Sequence, residues 1–129
     1  SCVLVVREGL IVDERVLVQE LIDGIAKSGK WLDEGHEHRM DAAEMAAEHY
    51  YFQDPDLLKH VLSKPVDRVK YTNLAPLKED FDEIMELAFE IGVLSERIAF
   101  EEYTDDSFVR PTELLDWDMD ELPAERGKP

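Results

Sequence analysis

Residues 2–32, CVLVVREGLIVDERVLVQELIDGIAKSGKWL, contain the two apolar patterns on which the fold prediction depends. The first pattern is the run from Cys2 to Val6, in which apolar and mostly β-branched residues follow one another without a polar interruption. Such a run is typical of a strand that is buried on both faces, although a run this short is also compatible with a helix. We therefore expect a short buried strand at this position.

The second pattern is an amphipathic helix that begins after Asp13, a favourable N-cap residue. Leu17, Leu21 and Ile25 recur every four residues and form one apolar face. Gly24 lies inside this helix, where glycine costs about 1 kcal/mol relative to alanine. Its presence indicates close packing against a neighbouring element.

Further helices are predicted from periodicity and from the positions of proline and glycine. They cover about Glu37 to Tyr51, about Pro55 to Lys64, and about Lys78 to Val93. Between the last two, residues 66–72 indicate an edge strand or an extended connection, and residues 73–76 a turn.

These elements together predict an α/β, helix-dominated fold, with one short buried strand followed by about four helices. Residues 1–110 are predicted to form the folded part, because the apolar patterns lie there. Residues 111–129 are predicted to form an acidic, proline-containing extended tail, although its Leu114, Leu115 and Trp117 could dock on the folded part.

The charge of the chain excludes several classes of partner. The 129 residues include 31 acidic and 14 basic side chains, which give a net charge of −17. Nucleic-acid backbones and anionic lipid surfaces are also negatively charged and repel such a chain, so we expect no nucleic-acid partner. No apolar run approaches the roughly 20 residues that cross a bilayer, so we expect no direct membrane insertion either.

The histidines do not have the spacing of a metal site. His36 and His38 diverge on a helix, and His38 and His49 would lie about 16 Å apart along the axis. Cys2 begins an apolar run in an acidic chain, so it is interpreted as a small buried hydrophobe rather than a nucleophile. The acidic clusters are interpreted as solvated surface. We therefore predict no enzyme activity, no metal and no cofactor.

Several segments taken in chain order resemble the late part of periplasmic solute-binding proteins of the nitrate/sulfonate/taurine type. These segments are Cys2–Glu8, Val16–Leu32, Asp41–His49, Gln53–Asp56, Pro65–Pro76, Glu79–Gly92 and Tyr103–Val109. The resemblance covers about residues 1 to 110 and is carried by helix order and scattered similarities rather than by a catalytic signature.

The resemblance implies the C-terminal part of a two-lobed α/β binding protein that delivers a small anionic solute to the membrane permease of an ABC importer. It implies a periplasmic or other extracytoplasmic location, with most cleft-lining residues upstream of this segment. Ser1 and Cys2 are the only positions that it places near the cleft, and they are our candidate ligand-binding residues. The chain does not begin with methionine, and we expect it to be a fragment.

The alternative function is a stand-alone acidic helical module for protein interaction or dimerisation. The strand predicted at Cys2 to Val6 discriminates between the two hypotheses. In a fragment, the neighbours of this segment lie upstream and its apolar surface is left exposed. In a complete protein, the segment must pair within the chain or across a dimer.

Overall fold

Helices are the only regular secondary structure in the residues that the computed structural model describes, which are 3–51, 54–63 and 69–116. The α-helices are α1 (Glu8–Asp13), α2 (Arg15–Glu34), α3 (His36–Ala46), α4 (Pro55–Ser63), α5 (Lys78–Glu90) and α6 (Phe100–Tyr103). A π-type turn, Ala47–Tyr51, extends α3, and a 3-10 turn covers Thr112–Leu114.

The predicted buried strand is not found. Residues 3–7 have no regular secondary structure, and Val5 is 84% exposed. A strand needs neighbouring strands to satisfy its backbone N–H and C=O groups, and the other regular segments within the described ranges are all helices. The prediction of an α/β fold with a buried strand is therefore wrong, and so is the α/β class that the resemblance implied. Cys2 lies outside the described residues.

Helix α2 follows the predicted amphipathic pattern, but its start differs from the prediction. Asp13 is the last residue of α1 rather than an N-cap, and Glu14 separates α1 from α2. The backbone N–H of Glu14 donates to the carbonyl of Leu10, while the carbonyl of Glu14 accepts from the N–H of Val18. The two helices are thus joined by a bend of one residue, and Val18 is buried within α2.

Helices α3 and α4 pack against each other. Ala43 and Ala47 are buried, as expected for small side chains that let two helix axes approach closely. Tyr50, in the π-type turn that follows α3, is exposed. Helix α4 begins at Pro55 as predicted, and the carboxylate of Asp54 accepts the backbone N–H of residue 56 at 2.9 Å.

The connection after α4 is described only in part. Residues 64–68 lie outside the described residues, so the predicted strand or extended connection is described only at residues 69–72, which contain no strand. Asn73 has a φ of 57°, in the left-handed region that asparagine tolerates within turns. No turn is assigned at residues 73–76 in the structure, so the turn predicted there stays a prediction.

The chain divides into two compact units: Ser1–Thr72 with Arg110–Pro129, and Asn73–Val109. In the second unit, α5 is followed by Gly92, whose φ of +75° suits a helix stop. The rings of Phe81, Phe100 and Tyr103 meet at centroid distances of 5.7 to 6.0 Å and join α5 to α6. Phe108 is buried.

The start of the predicted tail belongs to the first unit. Leu115 is buried after the 3-10 turn, and the Asp116 carboxylate accepts a hydrogen bond from the Lys30 ammonium at 2.5 Å. Trp117 and the residues that follow it lie outside the described residues. The predicted boundary at residue 110 between folded part and tail stays a prediction.

Candidate functional site

The predicted ligand-binding residues, Ser1 and Cys2, both lie outside the described residues. Their proximity to a cleft therefore stays a prediction. The described part of the chain offers two other features with chemical or recognition potential: a polar junction at the end of α2, and exposed apolar faces on the helices.

The polar junction is centred on the carboxylate of Asp33, near the end of α2. Its Oδ1 accepts a hydrogen bond from Nη2 of Arg39 at 2.6 Å. Its Oδ2 accepts the backbone N–H of Tyr71 at 2.9 Å and the hydroxyl of Thr72 at 2.8 Å. The carboxylate thus ties α2 to the start of α3 and to a segment 38 residues further along the chain.

Arg39 is satisfied within this junction. The residue is only 8% exposed, and its Nε donates to the carbonyl of Leu32 at 3.1 Å. Its guanidinium carbon lies 5.7 Å from the centroid of the Tyr71 ring. Because Arg39 is paired with Asp33 and hydrogen-bonded to the backbone, it serves the structure and is not offered to a solute.

Glycine is required where residue 71 crosses α2. A β-carbon added to Gly29 would collide with the carbonyl oxygen of Tyr71, since that oxygen and the carbonyl carbon lie against the helix backbone. Gly29 is accordingly buried. Only glycine lets the backbone of residue 71 come close enough for its N–H to reach Asp33.

Two opposing effects act on the pKa of Asp33. Burial raises the pKa of the carboxyl, but hydrogen bonds from Tyr71, Thr72 and Arg39, together with the charge of Arg39, lower it by more. The net pKa lies below the ordinary value of 3.8. Asp33 therefore stays ionised at neutral pH and acts as an anchor rather than as a proton donor.

The ring of His38 stacks on the indole of Trp31. Their centroids are 4.4 Å apart and the planes differ by 9°. The Nδ1 atom lies 2.6 Å from the carbonyl oxygen of Trp31, and since a carbonyl only accepts, Nδ1 carries the proton that is donated. The arrangement fixes α3 against the end of α2.

The histidines do not converge on one point. Within residues 3–51, 54–63 and 69–116, no group of three or more histidine, cysteine, aspartate or glutamate side chains is arranged to hold a metal ion. His36 and His60 are exposed on different helices, and Nε2 of His49 lies 3.8 Å from a carboxylate oxygen of Glu48.

The acidic clusters of the described part lie on exposed surface. On α5, Asp82 accepts from Lys78 at 2.6 Å, and the Glu86 carboxylate receives two hydrogen bonds from Arg97 at 2.5 and 2.8 Å. In the loop before Phe108, Asp105 accepts from the N–H and hydroxyl of the following serine. These carboxylates stabilise local structure.

Apolar side chains are exposed along one face of α2, which we call the α2 face. It consists of Leu17, Leu21 and Ile25, the residues that the sequence predicted on one apolar face. Gly24 lies beside them, and a β-carbon added there would meet nothing within 4 Å. The neighbour that Gly24 predicted is therefore not present among the described residues.

Sequence reasoning did not find the Asp33 junction. Asp33 lies inside α2, which ends at Glu34, and Gly35 separates α2 from α3. The partners Tyr71 and Thr72 are 38 and 39 residues away, and no local pattern indicates them.

In the described residues no helix combines the length and the apolar character needed to cross a membrane. Comparisons of the chain with protein-family models, with curated proteins and with solved structures find no match. The resemblance to solute-binding proteins therefore stays a prediction that rests on the segments quoted for it.

Proposed function

We propose that this chain is a non-catalytic helical part of the solute-binding component of an ABC importer for small anionic solutes such as nitrate, sulfonates or taurine. The observation that carries the proposal is the apolar surface at residues 3–5 and along the α2 face, which the described residues leave uncovered. In the proposal, further polypeptide of the same protein covers this surface and supplies most of the solute site.

The uncovered surface has two parts, a run of consecutive residues before α1 and a regularly spaced stripe along α2. Scattered exposed leucines are ordinary, but a contiguous apolar stripe on a folded protein marks a surface that packs against something. The α2 face repeats every four residues along the helix, and the apolar run at residues 3–5 precedes α1 in the same compact unit. Both features are expected of a segment whose apolar neighbours lie in another part of the protein.

Gly24 supports a helix or strand as the covering element. Glycine inside a helix costs about 1 kcal/mol, and nothing near Gly24 within the described part of the chain gives a local reason for it. A missing side chain beside Leu21 and Ile25 lets a second backbone approach the α2 axis closely. The cost of this glycine is then offset when the covering element is in place.

The transport part of the proposal is supported by the chain order of the resembling segments. Two of these segments coincide with α2 (Arg15–Glu34) and α5 (Lys78–Glu90), and Pro55 opens α4 as the resemblance implied. The proposal concerns function, and the α/β architecture is not part of it.

Thermal unfolding of the full-length gene product with added solute tests the proposal. A solute at 100 times its Kd stabilises the protein that binds it by about 2.7 kcal/mol, so a rise in Tm is expected with nitrate, a sulfonate or taurine. Sodium chloride at equal ionic strength is the control. If none of these solutes raises the Tm more than chloride does, the proposal fails.

Self-association is the second candidate function, and the exposed α2 face favours it too, because the same stripe could pack against its copy. Sedimentation of this chain over a range of concentrations tests it. A dimer that Leu21→Asn dissociates, and that Leu87→Asn on α5 leaves intact, supports dimerisation through α2. A monomer at all concentrations eliminates this candidate.

A further inference from the structure

Helix α5 and its two capping residues present a second apolar stripe, which we call the α5 stripe: Leu77, Ile84, Leu87 and Ile91. Ile84 is 64% exposed, Leu87 58% and Ile91 66%, and Leu77 is exposed as well. Three of the four residues are seven apart and Leu87 follows Ile84 by three, which is the a and d spacing of a helix that packs against a second helix.

The α5 stripe is not the face by which α5 packs in its own unit. Phe81 lies three residues before Ile84, on the side of the helix next to the stripe, and its ring meets the rings of Phe100 and Tyr103. Ala88 and Phe89 on that side are partly buried, and the Arg97 guanidinium carbon lies 3.9 Å from the Phe89 ring centroid. The helix thus packs one side within its own unit and leaves the neighbouring side, with the α5 stripe, exposed.

Acidic side chains form a rim along one edge of the α5 stripe. At 100° per residue, Asp80, Glu83 and Glu90 fall beside Leu87, and all three are exposed. None of the three forms an ion pair with a residue that the structure describes. By contrast, Asp82 and Glu86 point elsewhere on the helix and are neutralised by Lys78 and Arg97.

The carboxylates of α5 differ in whether the chain itself supplies a cation that pairs with them. Hydrogen bonds from Arg97 hold the pKa of the Glu86 carboxyl below its ordinary value of 4.5, so this carboxylate is matched within the chain. The charge of Glu90 also acts on Arg97 at longer range, but Asp80, Glu83 and Glu90 accept no hydrogen bond from a cation that the structure describes. The surface that an incoming helix would meet is therefore apolar along its centre and negative along its edge.

A second copy of the chain does not fit this surface. Two copies of the α5 stripe would place two acidic rims close together, and like charges at an interface oppose association. The net charge of −17 on each copy adds to the repulsion. A basic partner removes both penalties.

We propose that the α5 stripe is the docking site for a basic amphipathic helix of another protein. Its apolar residues would contact Ile84, Leu87 and Ile91, and its lysine or arginine side chains would pair with the rim at Asp80, Glu83 and Glu90. From Leu77 to Ile91 the stripe is about 21 Å long at 1.5 Å per residue, which matches about four turns of the incoming helix. The inference does not rest on the solute-binding proposal.

A defined peptide tests the inference with the full chain. The probe is a fluorescein-labelled peptide of about 18 residues, with leucine at a and d positions and lysine elsewhere. One control peptide has the same composition in scrambled order, and another has glutamate in place of lysine. Binding is measured by fluorescence anisotropy over a range of salt concentrations.

The amphipathic basic peptide is expected to bind more tightly than either control. Removal of a central apolar anchor by Ile84→Asn or Leu87→Asn is expected to weaken binding by about tenfold or more. The matched control is Leu114→Asn, which also places an amide where an exposed leucine stands and belongs to neither the α2 face nor the α5 stripe. Glu83→Gln with Glu90→Gln is expected to weaken binding at low salt and flatten its salt dependence, whereas Glu8→Gln with Glu113→Gln is expected to do neither.

Other results would overturn the inference. Equal binding of the scrambled peptide would show attraction by net charge alone, and tighter binding of the glutamate peptide would reverse the predicted complementarity. A dimer that Leu87→Asn dissociates would make a second copy the occupant. Circular dichroism of each variant checks that the helices are retained, and the glutamine pair tests the rim even if an asparagine variant is unstable.

Discussion

Substitution of Gly29 by alanine is expected to destabilise the first unit strongly. An added β-carbon would collide with the carbonyl oxygen of Tyr71, so either the residue 71 backbone or α2 must move. Movement breaks or lengthens the hydrogen bonds that Tyr71 and Thr72 donate to the Asp33 carboxylate at 2.9 and 2.8 Å.

The magnitude follows from those two hydrogen bonds. Each donates to a charged acceptor, where the net contribution is about 1.5–3 kcal/mol. Alanine returns about 1 kcal/mol through its better helix propensity. The net loss of unfolding free energy expected for Gly29→Ala is therefore about 2–5 kcal/mol, a large share of the 5–15 kcal/mol typical of a domain.

Gly24→Ala is the matched control on the same helix. A β-carbon at this position meets nothing within 4 Å, so the same substitution should stabilise the isolated chain by up to about 1 kcal/mol. Urea unfolding followed by circular dichroism gives both values, and the fluorescence of Trp31, beside the junction, reports on the first unit. The reasoning is refuted if Gly29→Ala is as stable as Gly24→Ala.

Three further predictions concern single side chains. The folded-state pKa of Asp33 lies below 3.8, so the ionised carboxylate contributes to the free energy of unfolding above the unfolded-state pKa, and this contribution is lost as the pH falls through the folded-state pKa. Asp33→Asn should therefore make the urea midpoint depend less steeply on pH in the acid range. An unchanged pH dependence would contradict this prediction. Phe108→Ala removes a buried ring and should lower the free energy of unfolding of the second unit by about 3–5 kcal/mol. Hydrogen exchange should then show weaker protection of the backbone amides of α5, and protection equal to that of the wild type would refute the prediction. Leu115→Ala should cost about 2–5 kcal/mol in urea unfolding of the first unit, and the exposed Leu114→Ala, its control, should cost little.

The helices that the sequence predicted correctly are those with local signals. Pro55 starts α4, Gly92 follows the end of α5, and Leu17, Leu21 and Ile25 recur every four residues along α2. Each signal acts within one or two helical turns. These helices can therefore be predicted from neighbouring residues alone.

The prediction of a strand was wrong because a strand depends on partner strands that are distant in sequence. Residues 3–7 have the composition of a buried strand, but the described residues offer no neighbouring strand to pair with it. Helix α1 was not predicted, because its six residues are too few to show a helical repeat of apolar positions. The junction at Asp33 was missed because its partners are specified by tertiary packing alone.

The hydrogen bonds from Tyr71 and Thr72 to Asp33 also decide where the chain can change length. They close a loop of 38 residues that contains α3 and α4, and the ends of this loop are held at one carboxylate. Doubling the length of a closed loop costs only about 0.6 kcal/mol in entropy. Insertions within this loop are therefore expected to be tolerated as long as Gly29 and Asp33 are kept. The part of the chain that contains α3 and α4 can then vary in length without displacing residues 71 and 72.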